Sequence, residues 1–203
     1  RTHVLACDGA HDHVLRLRES DTAHAFPDLR FTTAPLALDS VLVVGDNQGR
    51  VRGLRPGGAS PLQWRAGTPG FAVTALAAGG LGENEQTVLL WGTARGEVFL
   101  ADGSDTRGFV VREGWPRQVG SAITPVRGIL VVQGATEEQA RIFALDGEGH
   151  IACWDAGGET LPGWPYAMGG APAGYLAVGD PDGDARLEVV GTTSGTGTEC
   201  WFR

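Results

Sequence analysis

The sequence predicts an all-β protein built from repeated antiparallel sheets of four strands, and three observations lead to that prediction. First, 32 glycines and 11 prolines fall at intervals between short apolar runs, as expected for many strands joined by tight turns. Second, no stretch of about 12 residues or more shows the 3.6-residue periodicity of a helix. Third, similar segments return about every 47 residues, which is a period typical of repeat architectures.

The internal repeat is clearest where a buried strand, a glycine turn and a further strand follow one another. SVLVVGDNQGRV (40–51) matches TVLLWGTARGEV (87–98), so that Gly49 corresponds to Gly96. Gly149 takes the same place in a third copy, and a fourth copy ends the chain. The segments that align in this way are 40–64, 87–103, 141–158 and 187–201.

A second marker, an aromatic residue that in most copies precedes proline, closes each repeat. Its occurrences are Phe26-Pro27, Trp64-Arg65, Trp115-Pro116 and Trp164-Pro165. Proline suits the outer strand of a sheet, because an edge strand tolerates a residue that cannot donate to the ladder. Four short strands in each repeat of this length describe a blade of a β-propeller. A sandwich of unrelated strands shares the turn density but has no marker that returns on schedule.

The markers divide residues 1–203 into a single β-propeller segment. Its predicted parts are a partial blade 1–33, blades 34–66, 67–116 and 117–166, and a partial blade 167–203. The inner strands are predicted at 34–38, 71–77, 121–132 and 173–178. The total of about 18 strands closes neither a four-bladed nor a five-bladed ring. The sequence therefore predicts an incomplete arc of a larger ring, which a partner chain or a further segment completes.

Composition and charge narrow the classes of function. A net charge of -8 with scattered arginines argues against a nucleic-acid partner, since phosphate binding draws on clustered cations. The longest apolar run, GILVVQGA (128–135), has the length of a strand and is too short for a membrane helix. The cysteines Cys7, Cys153 and Cys200 contain no CxxC pair, so neither a zinc knuckle nor a closed disulfide framework is indicated.

One acidic stretch, GDPDGDARLEVVG (179–191), carries the strongest chemical signal. Asp180, Asp182, Asp184 and Glu188 repel one another unless water or a cation lies among them. Calcium takes six to eight hard oxygen ligands in flexible geometry, and the stretch has no His or Cys that a transition metal would favour. The sequence predicts a calcium site here, and a solvated acidic turn is the alternative.

The residues AVGDPDGDARLEVVG and the repeated GWP resemble bacterial FG-GAP/VCBS-type repeats, which are relatives of the integrin α-subunit propeller. The segment VLVVGDNQGRVRGLRPGGASPLQW looks more like PQQ-type propeller repeats, which share the same blade plan. The first resemblance implies a calcium loop between the first and second strands of a blade. Its implied ligands are the side chains of Asp180, Asp182, Asp184 and Glu188 and the carbonyl of Arg186.

The sequence departs from the ideal loop at one position and restricts the site to one blade. Ala185 stands where a glycine would turn at less cost if φ is positive. In the matching stretch AAGGLGENEQTVLLWG, Gly80 and Gly82 replace two of the aspartates. We therefore expect Ca2+ to stabilise one blade without taking part in catalysis. Millimolar calcium is an extracytoplasmic condition, so a secreted, periplasmic or cell-surface location is expected.

Two further features have a chemical and a structural interpretation. CDGAHDHV (7–14) places His11 and His13 so that both could contact a metal ion, but a polar turn fits the repeat register better. The six tryptophans could stack on sugar rings. Because they recur at repeat positions, packing between blades is the favoured interpretation.

The predicted function is a non-catalytic, calcium-binding β-propeller that acts outside the cytoplasm as a scaffold, adhesion or protein/glycan-interaction module. One alternative is a propeller enzyme or its accessory domain, either a quinoprotein or a polysaccharide-degrading enzyme. A PQQ dehydrogenase would be expected to have adjacent cysteines, and the sequence has none. The other alternative is a structural subunit of a larger assembly.

Overall fold

The computed structural model describes residues 5–7, 14–17, 20–25, 30–55, 62–67, 70–82, 87–104, 107–180, 183, 188–193 and 199–202. Within this part of the chain, 19 strands form five antiparallel sheets that follow one another in sequence order. The one helical element there is a single 3-10 turn, Glu137–Gln139. The prediction of an all-β fold made of four-stranded antiparallel sheets is therefore confirmed.

The strands of each sheet are consecutive in the chain. Sheet I contains β1 (Leu5–Cys7), β2 (Val14–Leu17) and β3 (Ser20–Ala25). Sheet II contains β4 (Leu36–Leu38), β5 (Val41–Gly45), β6 (Val51–Leu54) and β7 (Leu62–Ala66). Sheet III contains β8 (Val73–Gly80), β9 (Thr87–Thr93), β10 (Glu97–Ser104), β11 (Gly108–Val111) and β12 (Arg117–Gln118). Sheet IV contains β13 (Val126–Val132), β14 (Arg141–Asp146), β15 (His150–Trp154) and β16 (Tyr166–Ala167). Sheet V contains β17 (Pro172–Gly179), β18 (Glu188–Thr193) and β19 (Glu199–Phe202).

The outer strand of sheet III is interrupted. Both β11 and β12 pair with β10, β11 at its end and β12 at its beginning. The Trp115-Pro116 marker lies in the interruption, where a residue without an N–H cannot continue the ladder. Sheet III consequently extends past residue 116.

Sheets II to V pack face to face, because their strands carry apolar side chains on both faces. In β9, Val88 and Leu90 pack toward sheet IV, whereas Leu89 and Trp91 pack toward sheet II. All four side chains are fully buried. Successive strand residues point to opposite faces, so a run such as TVLLW is buried completely only where both faces of its sheet are covered.

The repeated glycine of the second strand allows one sheet to approach the next. A Cβ placed on Gly45 in β5 would lie 2.5 Å from Cγ1 of Val73, which begins the first strand of sheet III. Gly92 in β9 makes the equivalent approach to Val126, which begins the first strand of sheet IV. A larger residue at either position would separate neighbouring sheets.

Candidate functional site

The meander order of the strands gives the stack of sheets two distinct faces. The loops that lead into each first strand and the turns between second and third strands lie at one end, which we call the upper face. The loops between first and second strands and between third and fourth strands lie at the other end, the lower face. The acidic loop joins β17 to β18 and therefore belongs to the lower face.

The structure brings together the two ends of the predicted calcium loop. Gly179 pairs with Glu188 in the ladder between β17 and β18, so Asp180 and Glu188 flank the same loop entrance. The N–H of Gly183 donates a 2.7 Å hydrogen bond to Oδ1 of Asp180, and Gly183 has a φ of 77°. Only glycine adopts that conformation without strain, which explains its place at the tip of the turn. Asp182, Asp184 and Arg186 lie outside the described residues.

The two described carboxylates differ in exposure. Asp180 is exposed, whereas Glu188 is only 3% exposed at the start of β18. A buried carboxylate requires compensation by a cation or by hydrogen-bond donors. Hard oxygens at both ends of one short loop fit the ligand preference of calcium. Across the described residues, no group of three or more His, Cys, Asp or Glu side chains is placed to hold a metal ion.

A second set of polar side chains, which the sequence reasoning missed, occupies the turns of the upper face. Asp46 is fully buried, and its Oδ1 accepts hydrogen bonds of 2.9 Å from the N–H groups of Gln48 and Arg50. Its Oδ2 accepts a 2.7 Å hydrogen bond from Nε of Arg52, which is 4% exposed. Asp46 therefore closes the turn between β5 and β6 and neutralises a buried cation.

The same turn recurs in sheet IV. Oδ1 of the buried Asp146 accepts 2.9 Å hydrogen bonds from the N–H groups of Glu148 and His150. Its Oδ2 lies 3.0 Å from Nδ1 of His150. His150 is thus oriented by a buried carboxylate.

Sheet III carries a weaker version of this turn. Oγ1 of Thr93 accepts hydrogen bonds of 3.3 and 3.4 Å from the N–H groups of Arg95 and Glu97. A sequence signal for the set does exist, because an Asp or Thr stands three residues before each of the repeat glycines Gly49, Gly96 and Gly149. Those glycines all have a φ between 84° and 89°.

Four of the tryptophans whose side chains the structure describes pack in the interior, which does not suit stacking on sugar rings. Trp64 meets Phe109 of sheet III at 5.3 Å between ring centroids, and Trp115 meets Trp154 of sheet IV edge-on at 5.6 Å. Trp64, Trp91, Trp115 and Trp154 are each less than 9% exposed. Packing between blades, the favoured interpretation of their recurrence, is confirmed for Trp64 and Trp115.

A cavity of about 410 Å³ lies where the inner strands of four sheets converge. Except for Leu176, which lies just past the middle of β17, its lining residues come from the first halves of the inner strands or from the loop before them, and so from the upper part of the sheets. Most are apolar, with one charged residue, Arg127. The residues that line it are Thr33, Ala34, Pro35, Leu36, Thr74, Ala75, Leu76, Arg127, Gly128, Ile129 and Leu176.

Two other features of the sequence are the possible histidine metal site and the thiol of Cys153. Residues 8–13, with the two histidines of the possible metal site, lie outside the described part of the chain. Cys153 is 1% exposed in the core between sheets IV and V, and burial raises the pKa of its thiol to about 12. This thiol is therefore protonated at neutral pH and chemically unreactive.

Comparisons with known proteins identify the fold. The chain is similar to the crystal structure of BamB from Moraxella catarrhalis, with a TM-score of 0.55 and 19% identity, covering 93% of this chain and 53% of that one. It is similar to BBS1N in complex with ARL6DN, with a TM-score of 0.63 and 16% identity, covering 98% and 60%. It is also similar to the computationally designed Ika4 protein, with a TM-score of 0.55 and 16% identity, covering 88% and 94%.

These similarities and the sheet order together define the class: the chain has a β-propeller fold. It spans between half and two thirds of the BamB and BBS1N chains. No protein-family model and no curated protein sequence matches it. Among the described residues, no helix is both long and apolar enough to cross a membrane.

Proposed function

We propose that this chain is a non-catalytic, calcium-stabilised β-propeller that acts outside the cytoplasm as a scaffold for a protein or glycan partner. The β-propeller of BBS1N is crystallised in complex with ARL6DN, which gives an example of this fold in contact with another protein. Fold alone does not determine function, since propellers host many activities. The proposal therefore depends on features of this chain.

The observation that carries the calcium part is the position of Glu188. This residue is 3% exposed, and its partner across the ladder is Gly179, next to Asp180. A calcium ion held by Asp180, Asp182, Asp184, Glu188 and the carbonyl of Arg186 would neutralise charge at the loop that joins β17 to β18. We also propose that this loop is a calcium loop of the FG-GAP/VCBS type.

The interior supports a scaffold role. The apolar cores between sheets II and III, III and IV, and IV and V contain most of the largest buried side chains of the described chain. Loops carried by such rigid packing keep their relative positions, which favours recognition of a partner. The exposed loops of both faces are the surfaces available for it.

Thermal unfolding with calcium and with a chelator tests the proposal. A ligand that binds only the folded state stabilises it by about 2.7 kcal/mol at 100 times its dissociation constant. For a domain of this size, each kcal/mol raises the Tm by about 2–4 °C. We expect calcium to raise the Tm of the wild-type chain and to leave that of Glu188→Gln unchanged.

The matched control is Glu148→Gln, which removes a carboxylate from an exposed turn of the upper face. This variant should respond to calcium as the wild type does. Equal melting temperatures in calcium and in chelator for the wild type would refute the calcium part. Absorbance between 300 and 400 nm by the purified protein would instead support the quinoprotein alternative.

The cellular location requires a separate measurement. The full-length protein, tagged at its C-terminus, should be recovered from the extracytoplasmic fraction of its native cells. Recovery only with a cytoplasmic marker would refute the expected location, and the calcium result would stand independently.

A further inference from the structure

The two faces of the propeller differ in charge. In the described upper-face segments, arginines stand at the loops, at the turns and at the start of an inner strand: Arg30, Arg50, Arg95 and Arg127. Among the upper-face side chains that the structure describes, the carboxylates with exposed surface are Glu97 and Glu148, while Asp46 and Asp146 are buried inside their turns. The lower face carries mainly acids: Asp39, Glu137, Glu138, Asp155, Glu159 and Asp180. Within the described part of the upper face, these arginines therefore outnumber the exposed carboxylates, although the chain as a whole has a net charge of -8.

Apolar side chains are exposed beside these arginines. Phe71 is 48% exposed in the loop before β8, and the guanidinium carbon of Arg95 lies 5.0 Å from the centre of its ring. Ile123 is 68% exposed in the loop before β13. Nε2 of Gln118 donates hydrogen bonds of 2.9 Å to the Arg95 carbonyl and 3.3 Å to the Ala122 carbonyl. This amide therefore joins the two loops.

The guanidinium groups of this patch are not neutralised within the described chain. Neither Arg95 nor Arg127 forms a salt bridge with any residue that the structure describes, whereas Arg112 on the opposite side binds both Asp102 and Glu137. Arginine and aromatic residues are enriched in interface hot spots. A cationic patch with exposed aromatic and aliphatic groups matches a partner of opposite charge.

The inner-strand cavity shares one residue, Arg127, with this patch. Arg127 lines it from the start of β13, and the volume of about 410 Å³ falls in the range of ligand pockets. Most of the remaining lining is apolar, including Leu36, Leu76, Ile129 and Leu176, and the hydroxyls of Thr33 and Thr74 add polar groups. An apolar group inserted between these residues would place any carboxylate next to it close to a cation.

We propose that the upper face binds an acidic segment of a partner protein, which sets its carboxylates against Arg95 and Arg127 and inserts an apolar side chain into the cavity. This inference rests on the proposed scaffold function and assigns it a face and a partner chemistry. The segment binds as an extended peptide, since the patch runs across loops of two neighbouring sheets. Its apolar anchor and its acidic flanks are both required.

Selection of peptides on the purified chain tests this proposal. Phage that display random peptides of about 12 residues are selected on the immobilised protein, and enriched sequences are measured as labelled synthetic peptides by fluorescence anisotropy. We expect enriched sequences to combine Asp or Glu with Leu, Ile or Phe. Their affinity should fall as salt increases, because exposed charges are screened.

Charge reversal on each face locates the binding site. We expect the double variant Arg95→Glu/Arg127→Glu to weaken the selected peptides about tenfold or more. The matched control is Arg107→Glu, which reverses an exposed arginine of the lower face and should change affinity by less than about twofold. Circular dichroism and the Tm of each variant show whether it remains folded.

Several results would overturn the proposal. These are the absence of enrichment of acidic sequences over the unselected library, the enrichment of basic peptides, and equal binding to the double variant and the wild type. Full affinity after replacement of the peptide's apolar residue by serine would exclude the role of the cavity. Peptides weakened by Arg107→Glu alone would leave the scaffold function standing and refute the assigned face.

Discussion

Trp115 and Trp154 connect sheets III and IV through a contact between their rings and through a hydrogen bond that the Trp115 indole donates beyond Trp154. The rings meet edge-on at 5.6 Å, and Nε1 of Trp115 donates a 3.2 Å hydrogen bond to the carbonyl of Ala156, two residues beyond Trp154. Both rings are at least 93% buried. One residue of the repeated aromatic-proline marker thus supplies apolar area and a satisfied donor to the neighbouring sheet.

Replacement of Trp115 should destabilise the whole fold. We expect Trp115→Ala to lower the free energy of unfolding by about 3–5 kcal/mol, because it leaves a cavity between two sheets. Trp115→Phe, which loses mainly the donor to Ala156, should cost about 1–2 kcal/mol. Urea unfolding measures both changes. Val110→Ala, at a side chain that is 75% exposed, should change stability by less than about 0.5 kcal/mol.

The buried pair of Asp46 and Arg52 predicts that loss of the carboxylate alone destabilises the fold more than loss of both charges. Asp46→Ala should lower the free energy of unfolding by about 3–5 kcal/mol, because it leaves Arg52 buried without its carboxylate and opens the turn. The double variant Asp46→Ala/Arg52→Met should recover part of that loss, since no buried cation remains. An equal loss in the single and double variants would contradict a dominant role of the buried charge.

Cys153 gives a prediction about alkaline pH. Its thiol pKa is raised to about 12 in the folded chain, against an ordinary value of about 8.5. Between these values the folded state holds a proton that the unfolded state releases, so stability is full below the lower value and is lost as pH rises.

The measurement compares unfolding from pH 8 to pH 11 in a Cys7→Ser/Cys200→Ser background with and without Cys153→Ala. Only the chain that retains Cys153 should show this component of the loss, up to about 1.4 kcal/mol per pH unit. In the same background, a thiol reagent at pH 8 should modify Cys153 slowly unless urea is added. Rapid modification of the folded chain would contradict burial of this thiol.

The ion pairs of Arg112 predict a contribution to stability that depends on salt concentration. Its guanidinium binds Asp102 of β10 at 2.8 and 2.5 Å and reaches Glu137 of the 3-10 turn at 3.1 Å, and the hydrogen bonds to Asp102 raise its pKa further. Because Glu137 is half exposed, we expect Arg112→Met to cost only about 1 kcal/mol at low salt. The difference from the wild type should shrink in about 1 M NaCl. Arg107→Met, at an exposed arginine, is the control.

The fold was readable from the sequence because its signals are local and repeated. Three inner strands predicted at 34–38, 71–77 and 173–178 correspond to β4, β8 and β17, and each predicted range differs from the observed strand by no more than a few residues. The fourth begins later than predicted, at Val126, because Ser121 to Pro125 form the loop that carries Ile123. Proline has no N–H for a ladder, so the strand starts beyond it.

The functional surfaces were less predictable. The turn carboxylates Asp46 and Asp146 act through hydrogen bonds within five residues, which hydrophobic periodicity does not report. The cavity depends on how inner strands from separate repeats converge, and neither composition nor spacing encodes that distance. The acidic loop was visible because its acidic residues lie within one short stretch of the chain, from Asp180 to Glu188, and its calcium site stays a prediction.

Hydrogen–deuterium exchange with and without calcium tests the proposed calcium stabilisation of sheet V most directly. Calcium should slow exchange of amides in residues 179–193 and leave unchanged the corresponding loop between β8 and β9, where Gly80 and Gly82 replace two aspartates. Unchanged exchange at 179–193, or equal slowing in both loops, would contradict a specific calcium site.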